Sequence, residues 1–73
     1  NRRSFALIMR HKGMLYLNLK CDPFEAELLR QTYHDLIPGW HMNKRHWNTV
    51  VMGGDVPKEE IERMIQVSWQ LTL

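Results

Sequence analysis

The chain has a single cysteine, Cys21, among its 73 residues, so no disulfide within it can staple the fold. A lone cysteine in so small a domain fits a reducing compartment and a packed, neutral thiol, and this reading sets the protein in the cytoplasm. No apolar run approaches the roughly 20 residues of a membrane span, so no membrane partner is expected. The start, Arg2 and Arg3 before six mostly apolar residues, is too short for a signal peptide. Glycine is scarce as well, and none of it forms a phosphate-cradling loop; Gly53-Gly54 reads as a turn. Neither Ser4 nor Ser68 has the flanking glycines of a nucleophile elbow. A thiolate pair of Cys21 with His34 or His46 is the remaining nucleophile. Yet Cys21 follows an apolar strand and precedes an aspartate cap, a setting that keeps a thiol neutral. No catalytic residue is assigned, and the expectation is a protein that is not an enzyme.

A metal has no obvious home either. His41 and His46 are five apart, His34 lies seven before His41, and Cys21 is distant. Cysteine pairs and the helical HExxH spacing are both absent, so no metal or other cofactor is expected.

Acid is missing from a whole stretch. Residues 1–20 carry Arg2, Arg3, Arg10, Lys12 and Lys20 and no carboxylate, whereas residues 22–35 hold Asp22, Glu25, Glu27 and Asp35 against Arg30. Lys44 and Arg45 follow, and residues 55–63 turn acidic again. The net charge of +2 therefore hides a sorting by segment.

What is present reads as one small α+β domain, with 44% hydrophobic residues to build its core. Such a chain encloses one small core and no enzyme-sized cleft. "MLYLNLK" alternates cleanly, with Leu15, Leu17 and Leu19 on one side and Tyr16, Asn18 and Lys20 on the other. "SFALIM" is a strand before it, with Phe5, Leu7 and Met9 on one side and Ala6 and Ile8 on the other. "RHKG" supplies a hairpin of about four residues. "CDPFEAELLRQTY" switches to helical period: Asp22 caps it, Pro23 opens it, and Glu25 suits a capping box. Its expected buried stripe is Phe24, Leu28 and Thr32, widened by Leu29 and Tyr33, with Glu25, Glu27 and Arg30 facing water. "HDLIPGW" breaks the helix, with Pro38-Gly39 at the centre of a type II turn. "HWNTVVM" is a third strand, and "PKEEIERMIQVSWQL" a second helix with Ile61, Met64, Ile65, Ser68 and Trp69 inward. The order β-β-α-β-α implies an antiparallel sheet with the helices packed on one face.

Trp47 and Trp69 are expected in the core, while Trp40 either closes the core edge or lies exposed. The methionines read as core fillers. In the dense block "HMNKRHW", His41, Asn43, His46 and Trp47 form a structural corner, and Lys44 and Arg45 point outward. With the helices on one side, Arg2, Arg3, Arg10, His11, Lys12, Lys20, Lys44 and Arg45 fall on the opposite face, its hairpin and its loop. Such a face is either plainly solvated or a surface that meets nucleic-acid phosphates.

"LNLKCDP", "PGWHMNKRHWNTV" and "SWQLT" together resemble the MmcQ/YjbR family of small bacterial domains, over nearly the whole chain. The resemblance implies a fold similar to bacterial frataxin, the CyaY-like type, with a double-wing arrangement and a DNA-binding role, and it brings no catalytic residues. Trp40 and Trp69 stand where that family usually has tyrosine. It also implies one domain over residues 1–73 that matches the family's C-terminal two-thirds, without its N-terminal helix and first strand. The expected function is non-enzymatic DNA binding through the basic face; the alternative is a protein-interaction or regulatory domain of unknown ligand. A sheet of about three strands leaves the strand from Ser4 to Met9 as an open edge, which predicts self-association through it.

Overall fold

A computed structural model describes residues 4–73; Arg2 and Arg3 lie outside the described residues. The elements are β1 (Ala6–His11), β2 (Met14–Lys20), α1 (Pro23–Thr32), β3 (Leu36–Pro38), β4 (Trp47–Val51) and α2 (Lys58–Leu71). The four strands form one antiparallel sheet in the order β1-β2-β4-β3. The α+β class and the antiparallel sheet are as expected, but the sheet has a fourth strand where a turn was expected. Leu36–Pro38 pairs with β4, and Leu36 is buried opposite Val50. Pro38 is tolerated because it ends an outer strand, where its missing N–H interrupts no ladder. Gly39 is absent from the positive-φ residues, so the type II turn is not formed.

The first hairpin is tighter than expected. His11 pairs with Met14, leaving Lys12 and Gly13 as a two-residue turn with φ of 51° and 81°. Positive φ at both central positions is the geometry whose twist matches that of the strands, and Gly13 adopts it freely. Strand β1 accordingly runs further towards the turn than the stretch from Ser4 to Met9.

Both helices lie on one face. Leu17, Leu19, Leu36, Val50, Val56 and Met64 form the core, joined by the half-buried Ala6, Leu29, Tyr33, Ile61 and Ile65. Helix α1 packs on β3 and β4, and α2 on β2 and β1. Asp22 caps α1, its carboxylate accepting from the N–H groups of Phe24 and Glu25.

The helices are rotated from the expected stripes. On α1, Ala26 is fully buried and Leu29, Arg30 and Tyr33 are half-buried, while Phe24 is 72% exposed. Two adjacent stripes of α1 are apolar, so period alone does not choose between them. Hydrogen bonds decide: Asn48 Nδ2 donates to the Ala26 carbonyl at 3.3 Å, and Arg30 donates to Asn48 Oδ1 at 2.7 Å. Arg30 therefore turns inward rather than to water. On α2, Ser68 is buried and Trp69 is 44% exposed, against the expectation of a core indole. The Ser68 hydroxyl accepts from Lys20 N–H at 2.8 Å and donates to the Phe5 carbonyl at 2.5 Å, clipping the end of β2 to the start of β1. That clip sets the rotation of the helix. No helix among the described residues is long and apolar enough to cross a membrane.

Replacing Ser68 by alanine leaves a donor and an acceptor at the β1–β2 junction without their partner. The expected cost is about 1–3 kcal/mol in a urea or guanidinium unfolding titration, a large effect for one hydroxyl. An unchanged midpoint contradicts the clip.

Candidate nucleic-acid interface

Register assigns each strand residue to a face. Ala6, Ile8 and Arg10 pair with Leu19, Leu17 and Leu15 and share the helix side. Leu7, Met9 and His11 take the other side with Met14, Tyr16, Asn18 and Lys20, and with Trp47, Thr49 and Val51 of β4. Arg10 is thus not on the face opposite the helices, because β1 alternates in step with β2 and places it beside Leu15.

That second face is partly covered by residues 39–46, the connection from β3 to β4. Asn18 and Thr49 are directly paired and fully buried beneath it. The Thr49 hydroxyl donates to Asn18 Oδ1 and accepts from Trp40 N–H at 2.8 Å; Asn18 Nδ2 donates to the Trp40 carbonyl at 3.4 Å. Trp40 is therefore held by both backbone polar groups. Gly39 makes this close approach feasible: a Cβ there would stand 2.7 Å from that of Trp47. Its N–H donates to the Trp47 carbonyl at 2.8 Å.

The half-buried Trp40 ring gathers three others. Its centroid lies 4.9 Å from Tyr16, 5.0 Å from His11 and 4.5 Å from His41. His41 reaches this position with φ of 60°, a left-handed conformation unusual for a residue with a Cβ.

The cations stand around this cluster. Lys12 forms the hairpin turn next to His11. Lys20 lies on the same face with its ammonium 5.6 Å from the centre of the buried Trp47 ring. Lys44 Nζ donates to the Gly39 carbonyl at 3.0 Å, so this cation also braces the loop rather than simply pointing outward. Arg45 is exposed, and its N–H donates to Asn43 Oδ1 at 2.9 Å. Arg30, from the helix side, donates to the Lys44 carbonyl at 3.4 Å.

The four corner residues have different parts. Asn43 folds the turn, with its side chain on Arg45 N–H and its carbonyl accepting from His46 N–H at 3.3 Å. His46 is exposed and contributes its carbonyl, which accepts from Cys21 N–H at 2.8 Å. Trp47 is the buried anchor. His41 enters through its ring against Trp40. Sequence reasoning left Trp40 undetermined and did not bring Tyr16 and His11 to it. The available signal was that Tyr16 lies on the non-leucine side of an alternating strand.

A cleft of about 330 Å³ opens between the two helices, floored by Leu19 and Val50 and walled by Leu29, Met64, Val67 and Leu71. Its size reaches the lower range of ligand pockets, so the expectation of no such cleft is not met. Cys21 lies at its edge. Burial, then the nearby carboxylates of Glu25 and Asp22, push the Cys21 thiol above its ordinary value. A raised value means less thiolate at any pH below it. Alkylation of Cys21 by iodoacetamide at pH 8 is expected to run several-fold slower in the folded protein than after unfolding in urea. Equal rates would contradict the packed thiol.

Comparison with known proteins gives a consistent picture. The YjbR family model matches residues 1–71. The chain is 38% identical over 66 residues to the uncharacterised protein YjbR of Escherichia coli strain K12, covering 90% of this chain and 56% of that one. It is 34% identical over 82 residues to the uncharacterised protein YyaQ of Bacillus subtilis strain 168, covering 99% and 69%. Among solved structures, the Deinococcus radiodurans protein DR2400 superposes with a TM-score of 0.88 at 39% identity, over 96% of this chain and 51% of that one. A Pseudomonas syringae protein superposes with a TM-score of 0.89 at 31% identity, over 100% and 70%. The chain spans little more than half the length of the Escherichia coli relative.

Proposed function

The chain belongs to the YjbR family, and within that bacterial family we propose that it is a non-enzymatic nucleic-acid-binding domain. The proposed contacts are to phosphates, from Lys12, Lys20, Lys44 and Arg45 with His11 beside them, and DNA is the proposed partner. The observation that carries this reading is where the acids are. None of the eight carboxylates of the sequence lies on a strand or in residues 39–46; all sit on the helices or in other connections. The second sheet face and its loop therefore present bases without counter-charge, and a phosphate backbone answers such a surface by releasing its own counterions. Arg10 stands apart on the helix side. The reading sets the protein in a reducing bacterial cytoplasm, where Cys21 stays a thiol.

Each phosphate contact contributes about 0.9 to the slope of log affinity against log salt. Asparagine accepts the left-handed turn position of Lys12, so Lys12→Asn with Arg45→Ala removes two cations without unseating the loop. The pair is expected to weaken binding of unrelated DNA sequences equally and to lower the salt slope by about two. Absence of salt-sensitive binding to either duplex or single strand, by fluorescence anisotropy at low salt, would remove the proposal.

A second reading, protein interaction, is favoured by the free edge of β1. Among the described residues this strand ends the sheet, and Ile8 on it is 73% exposed. An outer strand with unpaired backbone groups and an exposed β-branched residue recruits another strand. The expected result is concentration-dependent association at micromolar levels in sedimentation velocity, abolished by Ile8→Lys. A monomer at every concentration would leave this reading without support.

A further inference from the structure

The ring cluster on the second face belongs to no hydrophobic core. The main core cluster lies on the helix side of the sheet, whereas Trp40, Tyr16, His11 and His41 gather on the other, where Trp47 is also buried. His11 and His41 are the exposed members, packed on an indole that is itself half-buried. The arrangement is held from beneath by a buried polar pair, since Thr49 and Asn18 bond the N–H and carbonyl of Trp40. It is also held in a costly way, because His41 occupies the left-handed region to bring its ring to 4.5 Å from Trp40. Fixed rings at a surface, with strained backbone beneath one of them, are a platform rather than a packing remnant.

Cations bracket the platform along the sheet. Lys12 stands at one end of β2, and Lys20 at the other. Six residue steps separate Met14 from Lys20, about 20 Å of strand. No carboxylate interrupts the strands between them. The imidazoles of His11 and His41 are inclined by 60° and 51° to the indole between them, and such exposed rings flanked by spaced cations suit a chain that alternates bases with phosphates. In a duplex the base faces are buried in the stack, and only the phosphates are available to such a surface.

Resting on the nucleic-acid reading above, we infer that the preferred ligand is a single strand, whose bases stack on the His11–Trp40–His41 platform while its phosphates meet the flanking lysines. Stacking is indifferent to base identity, so little sequence preference accompanies it. Either DNA or RNA supplies this chemistry.

The test compares oligothymidylate and oligouridylate of about 12 nucleotides with a duplex of the same length, by anisotropy of an end label. The variants are His11→Ala and His41→Gly; glycine adopts the left-handed conformation freely, so the second keeps the loop geometry. Circular dichroism and the thermal midpoint check that both variants fold. Single strands are expected to bind more tightly than duplex, and each variant to lose about tenfold on single strands, with little change on duplex for His41→Gly. The tighter of the two single strands identifies the natural source. Equal affinity for duplex and single strand, or variants that bind single strands like the parent, would overturn the inference and leave phosphate binding standing. No binding of any nucleic acid would overturn both.

Discussion

The hydrogen-bonded pair of Asn18 and Thr49 is the contact on which the second half of this molecule depends. Both side chains are fully buried on β2 and β4, where an apolar pair would have packed without obligation. Polar groups so placed must find partners or cost about 1–3 kcal/mol each. Here they find one another and the backbone of Trp40. That demand holds the β3–β4 connection in place, since the Trp40 backbone brought across the sheet face supplies a donor to Thr49 and an acceptor to Asn18. The rings then follow from the backbone, because an indole anchored at Trp40 is within reach of β1 and β2.

The same device recurs elsewhere. Asn48 binds the Ala26 carbonyl and Arg30, and Ser68 bridges β1 and β2. Among the described residues, no buried side-chain nitrogen or oxygen is left without a partner. A chain of this size has a modest apolar core, and apolar contact is non-directional. Directional polar clips are what set the rotation of each helix and the path of the loop in such a fold. The consequence is a division of labour between faces. One face holds the core and the helices; the other holds a loop, a ring cluster and cations.

Much of this was legible in the residues. The alternation of "MLYLNLK", the Asp22-Pro23 helix start and the β-branched run of β4 carry their structures locally, since each depends on neighbours two to four positions away. The resemblance of "HMNKRHW" and its flanks located the family. Less legible was strand β3, three residues long and ending in proline, whose support is non-local: pairing with β4 and burial of Leu36 beneath α1. Gly39 read as a turn residue and is instead a contact residue, a distinction that depends on Trp47 eight positions later.

Sequence by itself determined the class of the fold, five of its six elements, the Asp22 cap and the segregation of acid from base, because these follow from local period and composition. Tertiary structure decided which side each stripe turns. Phe24 and Trp69 face outward, and Arg30 inward, because hydrogen bonds across the sheet outweigh a small difference in apolar area between adjacent helical stripes. Arg10 fell on the helix side because hairpin register, set by a two-residue turn, assigns alternate residues to alternate faces. The convergence of His11, Tyr16, Trp40 and His41 joins residues up to thirty positions apart, and no local pattern encodes it. It exists because two buried polar side chains required a backbone to cover them.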